Sequence, residues 1–225
     1  MAASDATYAD ATYLDDFDTL NTADWDVYDS LGHAGHGRRL PAQVTAANGV
    51  LTIAGESDGT TGGMKWRGRS QRYGRWDVRL RAARGAVAYH PVVLLWGRGG
   101  GVDTARGEID IVEVWQRANR DRNSFTVHYG GESDSIGANS HLDMTQWHTY
   151  HLVWQDTFLY TWIDDLPSYF STNRTDVLPP GPVDLTLQLD WFPHEGTFGG
   201  TTASMEVDYV AQYAEPADGD TGANG

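Results

Sequence analysis

The run Gly107-Glu108-Ile109-Asp110-Ile111-Val112-Glu113-Val114-Trp115 places three carboxylates in a segment that is otherwise apolar and β-forming. A strand alternates its faces with period two, so Glu108 and Asp110 point to the same side. In a regular strand Glu113 would face the other way. One β-bulge at Ile111-Val112 absorbs the extra residue and returns Glu113 to the row of acids. The Trp115 indole then follows on that face. Two carboxyls held ~5–5.5 Å apart across a glycosidic bond are what a retaining glycoside hydrolase requires. One attacks the anomeric carbon, while the other protonates the leaving oxygen and later activates water. Asp110, between them, is placed to hydrogen-bond the nucleophile and to keep the remaining proton on the acid. Crowded like charges raise at least one pKa, and the titration belongs to the cluster. A solvated acidic strand face is the competing reading. The Ile, Val and Trp residues around the charges argue against it.

The elements that must position these acids are strands. Short Val, Ile, Leu and aromatic runs alternate with Gly, Asp, Asn and Ser clusters, and 26 glycines supply turns. Strand-like runs fall at 49–54, 75–81, 86–96, 108–115, 124–129, 148–155, 159–163, 184–190 and 205–212. No sustained helical periodicity and no internal repeat is visible. The 225 residues suit one all-β unit of two packed antiparallel sheets.

Glu108-Ile109-Asp110-Ile111-Val112-Glu113 resembles the bulged catalytic signature of glycoside hydrolase family 16, in its laminarinase-like branch. Other segments resemble that family in order: Asp15-Asp16-Phe17-Asp18 with Ala23-Asp24-Trp25, then Tyr73-Gly74-Arg75-Trp76-Asp77-Val78-Arg79-Leu80. Trp147-His148-Thr149-Tyr150 through Trp154, Tyr160-Thr161-Trp162-Ile163-Asp164 and Met205-Glu206-Val207-Asp208-Tyr209-Val210 complete the series. The resemblance covers residues 14–213, with an N-terminal extension at 1–13 and a disordered tail or linker at 214–225. It implies a concanavalin A-like β-jelly-roll sandwich whose concave sheet forms a substrate cleft. It further implies an endo-acting retaining hydrolase of a β-linked polysaccharide, with β-1,3-glucan as the leading substrate. Glu108 is then the nucleophile, Glu113 the acid/base and Asp110 the assistant. Two alternatives stay open. One is a non-catalytic carbohydrate-binding jelly roll; the other is the same chemistry on a galactan or microbial exopolysaccharide.

Alternation extends the cleft to neighbouring strands. His90, Val92, Leu94 and Trp96 share a face, and His90 and Leu94 stand where the family usually has Trp. Trp96 is left to compensate from a shifted position. His90 reads equally as a substrate-binding group or as a hydrogen-bonded, partly buried imidazole. His128 resembles the family His beside the acid/base, expected to hydrogen-bond Glu113 or the leaving sugar. Gln188 stands where the family often has Asn facing the cleft, and leucines 185, 187 and 189 are assigned to the core. Trp115 and Trp191 are expected as stacking platforms for pyranose rings. Trp76, Trp147, Trp154 and Trp162 are expected in the core or at sheet edges. The Gly-rich stretch 97–107 is expected to form a mobile cleft wall.

A net charge of -15 excludes nucleic acid and anionic membranes as partners and tilts the substrate towards a neutral glucan. The arginines at 67, 69, 72 and 75 form the one local basic cluster that would counter this tilt. Cysteine is absent, so neither disulfides nor thiolate chemistry is available. The N-terminus lacks the charged and apolar regions of a signal peptide. A polysaccharide substrate nevertheless points to a secreted monomer whose leader has been removed. No cofactor is required for the chemistry. The resemblance implies a structural calcium on the convex side, held by backbone carbonyls and Asp208.

Overall fold

The computed structural model describes residues 10–97, 107–130 and 134–215. The expected mobile wall at 97–107, the N-terminal extension and the tail therefore lie largely outside the described residues. Two antiparallel sheets face each other across one core, as a jelly roll. The first, seven-stranded, runs in the order Ser135–His141, Arg122–His128, Glu108–Glu113, Tyr89–Gly97, Val183–Trp191, Gly63–Trp66 and Trp25–Val27. The second has Phe170–Thr172, Leu159–Ile163, His148–Trp154, Gly74–Ala82, Ala203–Ala214, Val50–Gly55 and Val44–Ala47. Tyr13–Asp15 pairs with its Ala203–Ala214 strand.

Period-two patterning explains both sheets. Val50–Gly55, Leu159–Ile163 and Arg122–His128 alternate buried and half-buried residues, so one face of each strand meets the core. Tyr89–Gly97 and Val183–Trp191 are buried on both faces, because loops wall the outer face of the first sheet into a cleft. Leu185, Leu187 and Leu189 are core, as expected. Each such side chain contributes about 1.5–3 kcal/mol by leaving water.

Aromatic residues fill the ends of the sandwich. Trp25 stacks on Trp66 at 5.2 Å between ring centroids, and the Trp25 indole N–H donates to Asp15 Oδ2 at 2.7 Å. Trp76 and Trp154 are core residues. Trp147 and Trp162 instead lie half-buried under arginines: Arg79 and Arg81 over Trp147, Arg75 over Trp162. The strand 135–141, Ser-Ile-Gly-Ala-Asn-Ser-His, escaped the sequence reading because it is an edge strand with little apolar content. Among the described residues no helix is long and apolar enough to cross a membrane.

Candidate active site

The bulge is present where the acids require it. On one side Val93 pairs with Val112 and Leu94 with Asp110, which leaves Ile111 without a partner. On the other side Asp110 pairs with Thr126 and Glu113 with Ser124, so Ile111 and Val112 together oppose Phe125. Both bulge residues are buried in the core. A bulge strands backbone polar groups, and one side chain collects them. The buried Asn123 accepts from the Glu113 N–H at 3.2 Å and donates to the Ile111 carbonyl at 3.3 Å and to Tyr169 Oη at 3.1 Å. Asn123 thereby fixes the direction in which Glu113 leaves the strand. The sequence reading missed it.

Glu108, Asp110 and Glu113 lie on the cleft face, opposite Trp96, Leu94 and Val92 of the next strand. Asp110 is buried; its Oδ2 accepts from His128 Nε2 at 2.9 Å and its Oδ1 has no hydrogen-bond partner. His128 thus serves Asp110 rather than Glu113. The register decides this, since His128 sits opposite Glu108, while Ser124, four residues earlier on the same strand, sits opposite Glu113. Burial, then repulsion from Asp110, raises the Glu108 pKa to about 8, with His128 opposing the shift. Asp110 is raised as well, chiefly by burial and then by Glu113. Ionising every member is too costly, so the cluster retains a proton near neutral pH.

Two hollows flank this row. On the Glu108 side a cavity of about 600 Å³ is lined by Tyr28, His33, Arg39, Trp96 and Gln188 among others. Its organising group is the buried Asp190, which accepts from Arg39 at 2.5 Å and from Gln188 at 2.7 Å and faces His33 Nδ1 at 3.6 Å. Arg39 is neutralised there, so the cavity offers polar contacts without a net cation. On the Glu113 side a groove of about 320 Å³ is lined by Trp115, Arg122, Ser124, Thr126 and Asn139 among others. Trp115 is 47% exposed, as a stacking platform must be.

His90 is 2% exposed and lies beside the acids, opposite Asp190 on the neighbouring strand. Its Nε2 lies 2.7 Å from Glu195 Oε2, its ring stacks on Phe192 at 4.1 Å, and its Nδ1 stands 3.9 Å from Glu113 Oε1. It is a buried, hydrogen-bonded imidazole. Trp191 is not a platform. The strand continues through it, and alternation turns it to the face opposite Gln188 and Asp190. Its ring packs where Gly37 and Gly59 leave room; a Cβ on Gly59 would come within 2.4 Å of it. Phe192, one residue on, stacks on His90 at 4.1 Å and lies 4.8 Å from the His33 ring. Tyr28, His33, Arg39, Asp190, Phe192 and Glu195 were also missed, because long-range pairing brings them in from separated segments.

The arrangement matches a sequence family. The family model for glycosyl hydrolases family 16 matches residues 39–210. The chain belongs to that family. No curated protein sequence matches it. Among solved structures, the catalytic domain of an endo-1,3-β-glucanase (laminarinase) from Thermotoga petrophila RKU-1 is 20% identical with a TM-score of 0.78, covering 92% of this chain and 98% of that one. The laminarinase catalytic domain of Thermotoga maritima MSB8 is 22% identical with a TM-score of 0.78, covering 91% and 98%. An endo-β-1,3-glucanase from Pyrococcus furiosus is 20% identical with a TM-score of 0.73, covering 91% and 94%. This family 16 hydrolase therefore shares their fold.

The Asp208 carboxylate, the one side chain implied for calcium, is held in an ion pair in this family 16 chain. The Asp208 carboxylate is engaged by the Arg79 guanidinium, and no other metal-ligating cluster occurs among the described residues. A divalent cation at Asp208 would compete with that arginine for the carboxylate. The basic cluster near the N-terminal half is likewise occupied: Arg67 pairs with Asp26, Arg69 with Asp24 and Arg75 with Asp77, while Arg72 lies over Tyr73.

Three outcomes are expected. Asn123→Ala leaves two buried backbone groups without partners, at about 1–3 kcal/mol each, so denaturant unfolding should show a clear loss and turnover should fall with it. A carboxyl whose pKa is raised on folding makes the native state bind more protons than the unfolded chain. Its contribution to stability therefore falls as pH rises from about 4.5 through about 8. Glu108→Gln removes that term, so its melting temperature should exceed that of the wild type at pH 8, with the gap closing towards pH 4.5. Treatment with EDTA is expected to leave the melting temperature unchanged; a fall would show that a cation is bound after all.

Proposed function

We propose that this protein is an endo-acting retaining hydrolase of β-1,3-glucan that works outside the cell on polymer substrate. The observation that supports this best is the row Glu108, Asp110 and Glu113 on one face of a bulged strand, with a hollow on either side. Glucan as substrate is supported by relatives of the same fold, among them one from Zobellia galactanivorans in complex with laminaritriose and laminaritetraose. The Arg39–Asp190 pairing fits a neutral sugar as well.

In the first step the Glu108 carboxylate attacks the anomeric carbon while Glu113 gives its proton to the leaving oxygen. An ester between sugar and Glu108 results. In the second step Glu113 takes a proton from water, the resulting nucleophile attacks the same carbon, and Glu108 leaves with the anomeric configuration retained. Asp110 is placed to hydrogen-bond Glu108 and to keep the cluster's proton on Glu113, so that Glu108 is anionic when it attacks. His128 anchors Asp110. The same chemistry on a galactan is the second reading, and its support is Leu94 and His90 at positions where the family usually carries Trp.

Reducing-end release on laminarin, mixed-linkage glucan, agarose, carrageenan and xyloglucan tests this. Laminarin should be cleaved, and Glu108→Gln should lose nearly all turnover. Glu113→Ala should lose roughly 10²–10⁴-fold on polysaccharide and be partly rescued by azide on an activated aryl glycoside, since azide needs no base. Wild-type rates in both variants would overturn the assignment. Release from agarose alone would favour the galactan reading.

A further inference from the structure

His90 and Glu195 form a carboxylate–imidazole pair for which the two-carboxylate reaction has no evident use. Glu195 lies in the 3-10 turn Pro193–Glu195, and its Oε1 accepts from Gln116 Nε2 at 3.1 Å while its Oε2 meets His90 Nε2. The Gln116 N–H also approaches His90 Nε2, but at 3.4 Å it does not compete with a contact of 2.7 Å. The carboxylate therefore sets Nε2 as the protonated nitrogen, and Nδ1 is left to face inward. Nδ1 is buried and has no hydrogen-bond partner. Such an atom is costly unless something pairs with it in the working state. The group it faces is Glu113 Oε1, at 3.9 Å. A hydrogen bond between them requires the Glu113 carboxyl to turn towards the ring.

We propose that the Glu195–His90 pair positions Glu113 by sharing its proton between His90 Nδ1 and Glu113 Oε1. This rests on the reading of Glu113 as acid/base. Neutral imidazole with protonated Glu113, and imidazolium with ionised Glu113, differ only in which atom carries that one proton. In the first step the shared proton passes to the glycosidic oxygen as the C–O bond breaks. In the second step the pair regains it from the attacking water, so the cycle balances. His90 is a positioning residue, since it reaches the substrate only through Glu113.

Other charged groups face the pair and remain in the variants below. Glu108 and Asp110 lie on the strand of Glu113, and Asp190 is the register partner of His90. His128 stands behind Asp110, and His33 lies beyond Phe192 at 4.8 Å between ring centroids.

The test is kcat/KM against pH on laminarin and on a dinitrophenyl β-laminaribioside, whose leaving group departs without protonation. Wild type, Glu113→Ala, His90→Phe and Glu195→Ala are compared. His90→Phe keeps a ring against Phe192, and Glu195→Ala carries the test if that variant does not fold. The loss on laminarin should exceed the loss on the aryl glycoside by about 10-fold or more. The alkaline limb on laminarin should also move to lower pH. Equal losses on both substrates with an unmoved limb would reduce the pair to packing and overturn the proposal, as would the absence of any loss. If Glu113→Ala itself discriminates between leaving groups no better than wild type, the acid/base assignment fails and the proposal falls with it.

Discussion

The site depends on one irregularity, the extra residue between Asp110 and Glu113, and on the side chain that makes it tolerable. A regular strand would drive Glu113 into the core, where an unpaired carboxylate is prohibitively expensive. The bulge corrects the facing but breaks the ladder on both sides. Asn123 restores the lost hydrogen bonds from within the core, using both ends of one amide. Ile111 and Val112 meanwhile bury their side chains and resist a register slip, because slipping would expose them. The acids keep their row because the apolar residues between them cannot leave the core.

Electrostatics within the cleft follow from that geometry. The three acids are crowded by the backbone and desolvated by loops, so a retained proton is a property of the cluster. The surroundings accommodate it with few cations. His128 supports Asp110, and Arg39 is consumed by Asp190. Elsewhere among the described residues most arginines form pairs with nearby acids, which contribute little to stability individually but neutralise the cations locally. The strong net negative charge and the neutral substrate preference proposed above are compatible for this reason.

A row of four rings, His33, Phe192, His90 and Trp115, runs beside Glu113. Its rings stack on one another, from 4.1 Å for His90 on Phe192 to 6.5 Å for His90 beside Trp115. Replacing an indole by an imidazole at position 90 exchanges apolar surface for two ring nitrogens. One nitrogen finds Glu195 and the other faces Glu113. That exchange alters the chemistry around the acid/base as well as the shape of the cleft.

The sequence by itself determined what depends on local periodicity: the apolar strands of the two sheets, the bulge at Ile111-Val112, the row of three acids, and the core leucines at 185, 187 and 189. These are set by side-chain alternation and apolar content within a few residues, which the chain displays directly. It could not place Trp191, because whether a strand runs one residue further decides the face on which that ring emerges. Nor could it show that His128 serves Asp110, since partner choice depends on inter-strand register. Asn123, Asp190 and Glu195 acquire their roles only when segments distant in the chain are brought together. Only the tertiary structure decided these, because hydrogen bonding across strands and loops is a property of positions in space that residue order does not encode locally.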